Sequence, residues 1–262
     1  QKRSADVIRS SALALLATLL WQKRVVEQKV AEQITAAAES TSVATAEGVY
    51  RLCEAAEQRT LNRLKHSIGL ARDEIARAGA ISFGQDVSWK ATDQFSGQTR
   101  TVALPKMMLG GVWLGQNTNP AVESPIVDHV KRVSRDAVTI FQRMNDQGDM
   151  LRVCTTVLGA DGTRAVGTYI PRNNPDGSPN PVLDAVLNDR PFQGSVWVVD
   201  QVYAASYEPI WDSAKKEKIV GMLYVGIPQK EVNKELIAAV QKMTVGTTGY
   251  VFVVGTKGDR RG

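Results

Sequence analysis

Four stretches decide how this chain folds: VTIFQ at 138–142, LRVCTTVLGADGTRAVGTYIP at 151–171, GSVWVVDQVYAASYEPIWD at 194–212 and KIVGMLYVGIP at 218–228. Each is rich in β-branched and aromatic residues, and turn residues separate them. That pattern predicts successive strands of one small antiparallel sheet. Leu151–Leu158 and Thr163–Ile170 read as a hairpin across Gly159-Ala160-Asp161-Gly162, whose glycines supply positive φ. Residues 195–207 read as one continuing strand that pairs with Ile219–Ile227 across 212–218. Residues 171–181, PRNNPDGSPNP, read as an exposed loop, 182–187 as a short helical turn and Glu231–Lys242 as a helix.

Outward from the sheet the composition changes sharply. All ten prolines lie between residues 105 and 228, and the first 78 residues hold no proline and only Gly48 and Gly69. Those 78 residues are dominated by Ala, Glu, Gln, Lys and Arg, which favour helix. Val43, Ala46, Tyr50, Cys53, Leu61, Leu64, Ile68, Ala71, Ile75 and Ala78 recur at steps of three and four, with Glu57 the polar interruption. Val26, Val30, Ile34 and Ala37 extend the stripe backwards. The segment from 24 to 79 is expected as one long helix or two collinear ones. Its narrow apolar seam faces either a second copy of the chain or the chain's own sheet. Gly79 suits a helix C-cap. Residues 81–126 carry Ser-Gly, Asn-Pro and Ser-Pro turn signals and are expected to be irregular, with TVALPKMMLGGVWLG supplying a strand or a buried loop.

At 262 residues the chain can form one large core or two small ones, and its net charge of +5 is dispersed. Lys131, Arg132 and Arg135 sit between Asp128 and Asp136, and Lys215, Lys216 and Lys218 flank Glu217, which is not the clustered footprint of a nucleic-acid binder. Two cysteines, Cys53 and Cys154, are too few for a disulfide framework or a metal site, and either a single bridge or two free thiols fits. The run SSALALLATLLWQ at 10–22 falls short of the roughly 20 residues that span a bilayer. It reads as a helix whose apolar face packs on a partner, in preference to a cropped signal anchor. The start at Gln1 is expected of a piece of a longer protein.

Catalytic signatures are missing. His66 and His129 have no second ligand at metal-binding spacing, and the chain lacks a P-loop, a GxGxxG turn and a GxSxG elbow. Neither a catalytic set, a metal nor a cofactor is expected, and the chain is read as a non-enzyme. A binding pocket is better supported. Tyr203 and Tyr207 stand four apart, and Glu208 follows; in a continuous strand both tyrosines project from one face. Trp113, Thr168 and Tyr169 are candidates for the opposite wall, and Arg152 for the anion anchor, because a guanidinium grips a carboxylate through two bonds. The same tyrosines also suit a core with satisfied hydroxyls, and Arg152 a solvated strand position.

VTIFQ, DGTRAVGTYIP, GSVWVVDQVYAASYEPIWD and GMLYVGIP together resemble the extracytoplasmic Cache domains of bacterial methyl-accepting chemotaxis receptors and sensor histidine kinases, over residues 24–254. The arrangement is similar to a type-3 Cache module followed by a type-2 module, with TGYVFVV at 248–254 opening the second. The resemblance implies an α+β fold: a long N-terminal helix packed on a PAS-like, five-stranded antiparallel sheet. The expected organisation is a helical region at 1–80, the sensor module at 81–242 and the first strand of a truncated second module at 243–262. It further implies a periplasmic sensor of an inner-membrane receptor, with membrane helices flanking it in the parent. Its expected partners are a small ligand (an amino acid, organic acid or similar metabolite) and a second copy through the N-terminal helix, with no nucleic acid. The competing expectations are a helix-mediated interaction module without its own ligand, and a hydrolase or transferase built in 81–126 around Asp86, Asp93 and Lys106.

Overall fold

The computed structural model describes residues 2–212, 217–245 and 249–250. A helix α1 (Lys2–Ala78) is followed by strands β1 (Ile81–Asp93), β2 (Thr99–Leu109) and β3 (Val112–Trp113), then by helix α2 (Pro125–Ser134). Next come β4 (Ala137–Arg143), β5 (Met150–Thr155) and β6 (Thr168–Ile170), helix α3 (Pro181–Leu187) and strands β7 (Phe192–Val198), β8 (Gln201–Trp211) and β9 (Ile219–Pro228). Helix α4 (Gln229–Val240) and the short strands β10 (Thr244–Val245) and β11 (Gly249–Tyr250) complete the order.

The chain divides into two compact units, residues 55–236 and residues 1–54 with 237–262. The larger unit is built on a nine-stranded sheet of order β3-β2-β1-β6-β5-β4-β9-β8-β7. Its block β5-β4-β9-β8-β7 is antiparallel throughout, but its members are not the five runs read from the sequence: 195–207 divides between β7 and β8, and 163–170 contributes only the short β6. The β1–β2 hairpin extends it, joined through a parallel pairing of Thr92 with Thr168.

Each face of this sheet has its own core. Leu64, Ile68 and Ala71 of α1 and Val127 and Val130 of α2 pack on one face, against Val138, Ile140, Leu151, Val153, Leu223, Val225 and Ile227. Val182, Leu183 and Val186 of α3 cover the other, against Ala137, Phe141, Met150, Tyr203, Ala205, Tyr207, Met222 and Tyr224. Alternation along each strand sorts the two sets. Pro181 at the first turn and the Asn180 side chain, which accepts from the Val182 and Leu183 amides, fix the start of α3.

Residues 81–109 are not irregular; they form a long hairpin. The Ser-Gly signal is the hairpin's own turn, with Gly97 at φ 70°, and the Asn-Pro and Ser-Pro signals lie beyond its end; Trp89 and Ala91 are buried, and Gly84 falls at the bulge between Phe83 and Asp86. The stretch 195–207 is a hairpin too, because the chain reverses at Val199, φ 58°, between β7 and β8. A β-branched residue is an uncommon occupant of that conformation, so no turn signal marked it. The hairpin of 151–170 keeps a ladder at its open end, Met150 with Ile170 and Leu151 with Tyr169, and a single bridge, Leu158 with Arg164, near its turn. The Arg164 side chain turns inward and makes two bonds to Asp128, with further bonds to the Thr155, Asn119, Pro120 and Val122 carbonyls.

In the smaller unit α1 exposes Leu15, Leu16, Leu19, Leu20, Trp21, Val26, Val30, Ile34 and Val43. No helix among the described residues is long and apolar enough to cross a membrane. Cys53 and Cys154 are both free thiols. β10 and β11 pair as a two-stranded ribbon, and the remainder of the expected second-module strand, 251–254, lies outside the described residues.

Candidate ligand-binding site

The sheet face beneath α3 gathers aromatic side chains around one cation. Register sets the arrangement. Phe192, Tyr207, Tyr224, Thr139 and Thr155 stand opposite one another across β7, β8, β9, β4 and β5. Two residues along lies a second row: Pro209, Met222, Phe141 and Arg152. The Tyr207 and Tyr224 rings are 4.9 Å apart, Tyr203 meets Tyr224 edge-on at 6.4 Å, and Phe192 meets Tyr207 edge-on at 6.2 Å. Such tilted and edge contacts suit the ring quadrupoles.

Arg152 lies among these rings with 1% of its surface exposed. Its guanidinium sits 4.9 Å from the centre of the Phe141 ring and donates through Nη1 to Thr168 Oγ1. Nε is buried and has no hydrogen-bond acceptor, and among the described residues no carboxylate forms an ion pair with the group. Burial pulls the Arg152 pKa down, and burial pushes Tyr207 and Tyr224 up, so both phenols stay protonated donors. Burial raises Tyr203 as well, against the opposing bond from Gln201 Nε2 to its hydroxyl. A desolvated cation held by one neutral hydroxyl and ring faces is under-compensated, and an anion placed against it would relieve the penalty.

Of the seven candidate residues, the structure brings Arg152, Thr168, Tyr203 and Tyr207 to this face. Tyr169 points the other way, as the neighbour of Thr168 in a strand must. It packs in the α1-side core with the Arg100 guanidinium 5.0 Å from its ring. Glu208, next to Tyr207, is likewise on the α1 side and pairs with Arg72 at 3.0 Å. Trp113 lies on the edge strand β3 with Lys106 Nζ 5.0 Å from its ring. Phe141, Phe192 and Tyr224 join the site without having been singled out. Tyr224 stands in GMLYVGIP at the same parity as Met222, but only the pairing of Tyr224 with Tyr207 shows that it shares the site.

A separate cleft of about 420 Å³ is lined by Leu104, Pro105, Gln142, Met144 and Val220, with Arg143, Asp146, Asp212 and Lys218 at its polar side. It holds none of the seven candidates, and its charged groups already have partners: Arg143 donates to the Asn145 and Asp146 carbonyls, Lys218 Nζ lies 3.9 Å from Asp146, and Asp212 accepts from the Glu217 amide. The uncompensated charge is at Arg152.

No group of three or more His, Cys, Asp and Glu side chains that could hold a metal ion occurs among the described residues. No curated protein and no solved structure matches the chain. Residues 27–262 match the family model of the Cache 3/Cache 2 fusion domain. The long helix, the antiparallel sheet and the buried aromatic face under α3 thus have a common setting: this chain belongs to the Cache 3/Cache 2 fusion domain family, whose Cache modules are extracytoplasmic sensors of small ligands.

Proposed function

We propose that this chain senses a small carboxylate-bearing metabolite on the extracytoplasmic side of a membrane receptor, with Arg152 as the anion anchor. The observation that carries this reading is the buried guanidinium, paired to Thr168 and ring faces and to no carboxylate among the described residues. Tyr203, Tyr207, Phe141 and Thr168 form the walls. The carboxylate takes the Nε–H and the neighbouring guanidinium protons in a charge-assisted pair, which a low-dielectric site strengthens.

The signal then travels through β4. Phe141, beneath Arg152, is on the strand that begins immediately after Asp136, and Asp136 is bound by Ser67 and Arg63 of α1. A ligand that shifts β4 moves the α1 contact, provided it favours one arrangement of the two over another. In the parent receptor, a methyl-accepting protein or a sensor kinase, α1 carries that shift towards the membrane. The exposed apolar residues of α1 between Leu15 and Val43 favour pairing with a second copy of the helix.

The test is calorimetric titration of the wild-type chain and of Arg152→Met with carboxylates and with amines of matched size. Carboxylates should bind the wild type and raise its melting temperature by several degrees at saturating concentration. Arg152→Met should melt at or above the unliganded wild type, because it removes a buried uncompensated charge, and should bind no acid. Carboxylate binding that survives in Arg152→Met would remove Arg152 from the site.

A further inference from the structure

We propose that Tyr224 is the second polar contact of this site, and that it selects carboxylates that carry an uncharged oxygen acceptor away from the acid group. The inference rests on Arg152 being the anion anchor.

One row beyond Tyr207 and Tyr224, on the side away from Arg152, the sheet face is made of the smallest side chains available. Gly194 pairs with Ala205, Ala205 with Gly226, and Gly226 with Ala137, so a shallow trough crosses β7, β8, β9 and β4. The trough is occupied by Tyr224 itself. A Cβ placed on Gly226 would lie 2.0 Å from the Tyr224 hydroxyl oxygen, so the phenol rests directly over the glycine. That hydroxyl is buried, in a residue 1% exposed, and has no hydrogen-bond partner. A buried hydroxyl left unmatched is costly, so the Tyr224 phenol, seated in the space that glycine leaves, is a donor in want of an acceptor. At the outer end, on the edge strand β7, the Phe192 ring lies beside Gly194, where an added Cβ would come within 3.2 Å of it.

Two unmatched donors therefore stand on the same face, the Arg152 Nε–H and the Tyr224 hydroxyl, one on each side of the Tyr207–Tyr224 row. They define a ligand with two polar ends and an apolar middle that lies along aromatic rings. Charge decides what the ends are. Arg152 is the one charged side chain in these three rows, so the first end is a single anion. A second carboxylate beside Tyr224 would be desolvated against a neutral phenol with no cation to offset it, whereas a keto, ester or amide oxygen accepts the hydroxyl proton at no such cost. The recognised class is a monocarboxylic acid with a neutral carbonyl along its chain.

The experiment compares acids of equal length in the full chain by calorimetry: valerate, 4-oxopentanoate and glutarate, then hexanoate, 5-oxohexanoate and adipate. Each is titrated into the wild type, Tyr224→Phe and Arg152→Met. At least one keto acid should bind the wild type about tenfold or more tighter than its plain and dicarboxylate counterparts, the scale of discrimination when a buried donor gains or lacks its acceptor. Tyr224→Phe should bring that keto acid to within twofold of the plain acid and leave the plain acid's affinity unchanged. The variant should melt at or above the wild type, since the lost hydroxyl has no partner to lose. Keto acids that bind no better than plain ones, a preference that survives in Tyr224→Phe, or dicarboxylates that bind best would each overturn the role of Tyr224 while leaving Arg152 as anchor. Failure of every acid to bind, or unchanged binding in Arg152→Met, would instead overturn the anchor and this inference with it.

Discussion

Ser67 Oγ donates a 2.5 Å hydrogen bond to Asp136 Oδ2, joining the middle of a helix to the first residue before a strand. Asp136 is 1% exposed, and Arg63, one turn before Ser67 on α1, reaches its other oxygen at 2.5 Å while also holding Glu231 of α4 at 2.9 Å. Three elements thus meet at one buried carboxylate. Arg135, at φ 66°, is the left-handed C-cap of α2 that turns the chain to place it there.

Asp136→Ala should cost about 1–3 kcal/mol of stability, the penalty for leaving a buried Ser67 hydroxyl without its acceptor. Urea unfolding of the variant against wild type checks this. If β4 carries the ligand signal, the variant also binds ligand but fails to alter α1, which a spin-label or fluorescence distance on α1 would show.

Two carboxylates set opposite pH dependences. Burial lifts the Asp136 pKa above 3.8, against the bond from Ser67 and the charge of Arg63, so the folded chain holds the proton more tightly and this contribution to stability falls as pH rises through that raised value. For Asp128, burial pulls upward but the bond from Arg164, the Ser124 amide and the charges of Arg164 and Lys131 outweigh it, and the pKa lies below 3.8. Its contribution is present above 3.8 and is lost as pH falls through the lowered value. Unfolding across pH should show Asp136→Asn gaining on the wild type as pH rises, and Asp128→Asn losing its disadvantage in acid.

Arg164→Ala should be severe, about 3–5 kcal/mol, because it strands the Asp128 charge and several carbonyls that one buried guanidinium satisfies. Arg164→Lys should recover little of this, since an ammonium cannot reproduce the two-pronged bond to Asp128. Chemical denaturation of the two variants decides it.

Along α1, Leu64→Ala and Ile68→Ala should each cost about 2–5 kcal/mol, because both side chains are fully enclosed against the sheet. Leu19→Ser and Ile34→Ser should change the stability of the larger unit by less than about 0.5 kcal/mol. In sedimentation at rising concentration, they should instead weaken self-association.

Thiol labelling should separate the two cysteines. Burial pushes the Cys154 thiol up to about 12, in a site where Ser124 is its hydrogen-bond partner, so it stays unreactive while the chain is folded. Cys53, half-buried on α1, should label first, and Cys154 only as denaturant unfolds the sheet. Equal labelling rates in the native chain would contradict this placement.

The sequence by itself determined the long helix and the strands β4, β5 and β9, and offered Arg152 as a candidate anchor. Absence of proline and the three-four spacing suffice for α1, and β-branched runs suffice for β4, β5 and β9, because these are local properties of the chain. Arg152 could be offered because a guanidinium grips a carboxylate through two bonds, although a solvated strand position suited it as well and only the structure shows it buried. What only the tertiary structure decided is which side chains share its face. Thr168 and Tyr169 are neighbours in sequence and lie on opposite faces of the sheet, as do Tyr207 and Glu208; Tyr207 and Tyr224 are seventeen residues apart and touch. Parity along a strand says that two residues part, but not which of them faces α3, and register between strands depends on turns and bulges spread over the whole sheet. The β7–β8 reversal was hidden because a β-branched residue, Val199, takes its left-handed turn, and the β1–β2 hairpin because β1 is largely exposed and polar, without the apolar run that marks a buried strand.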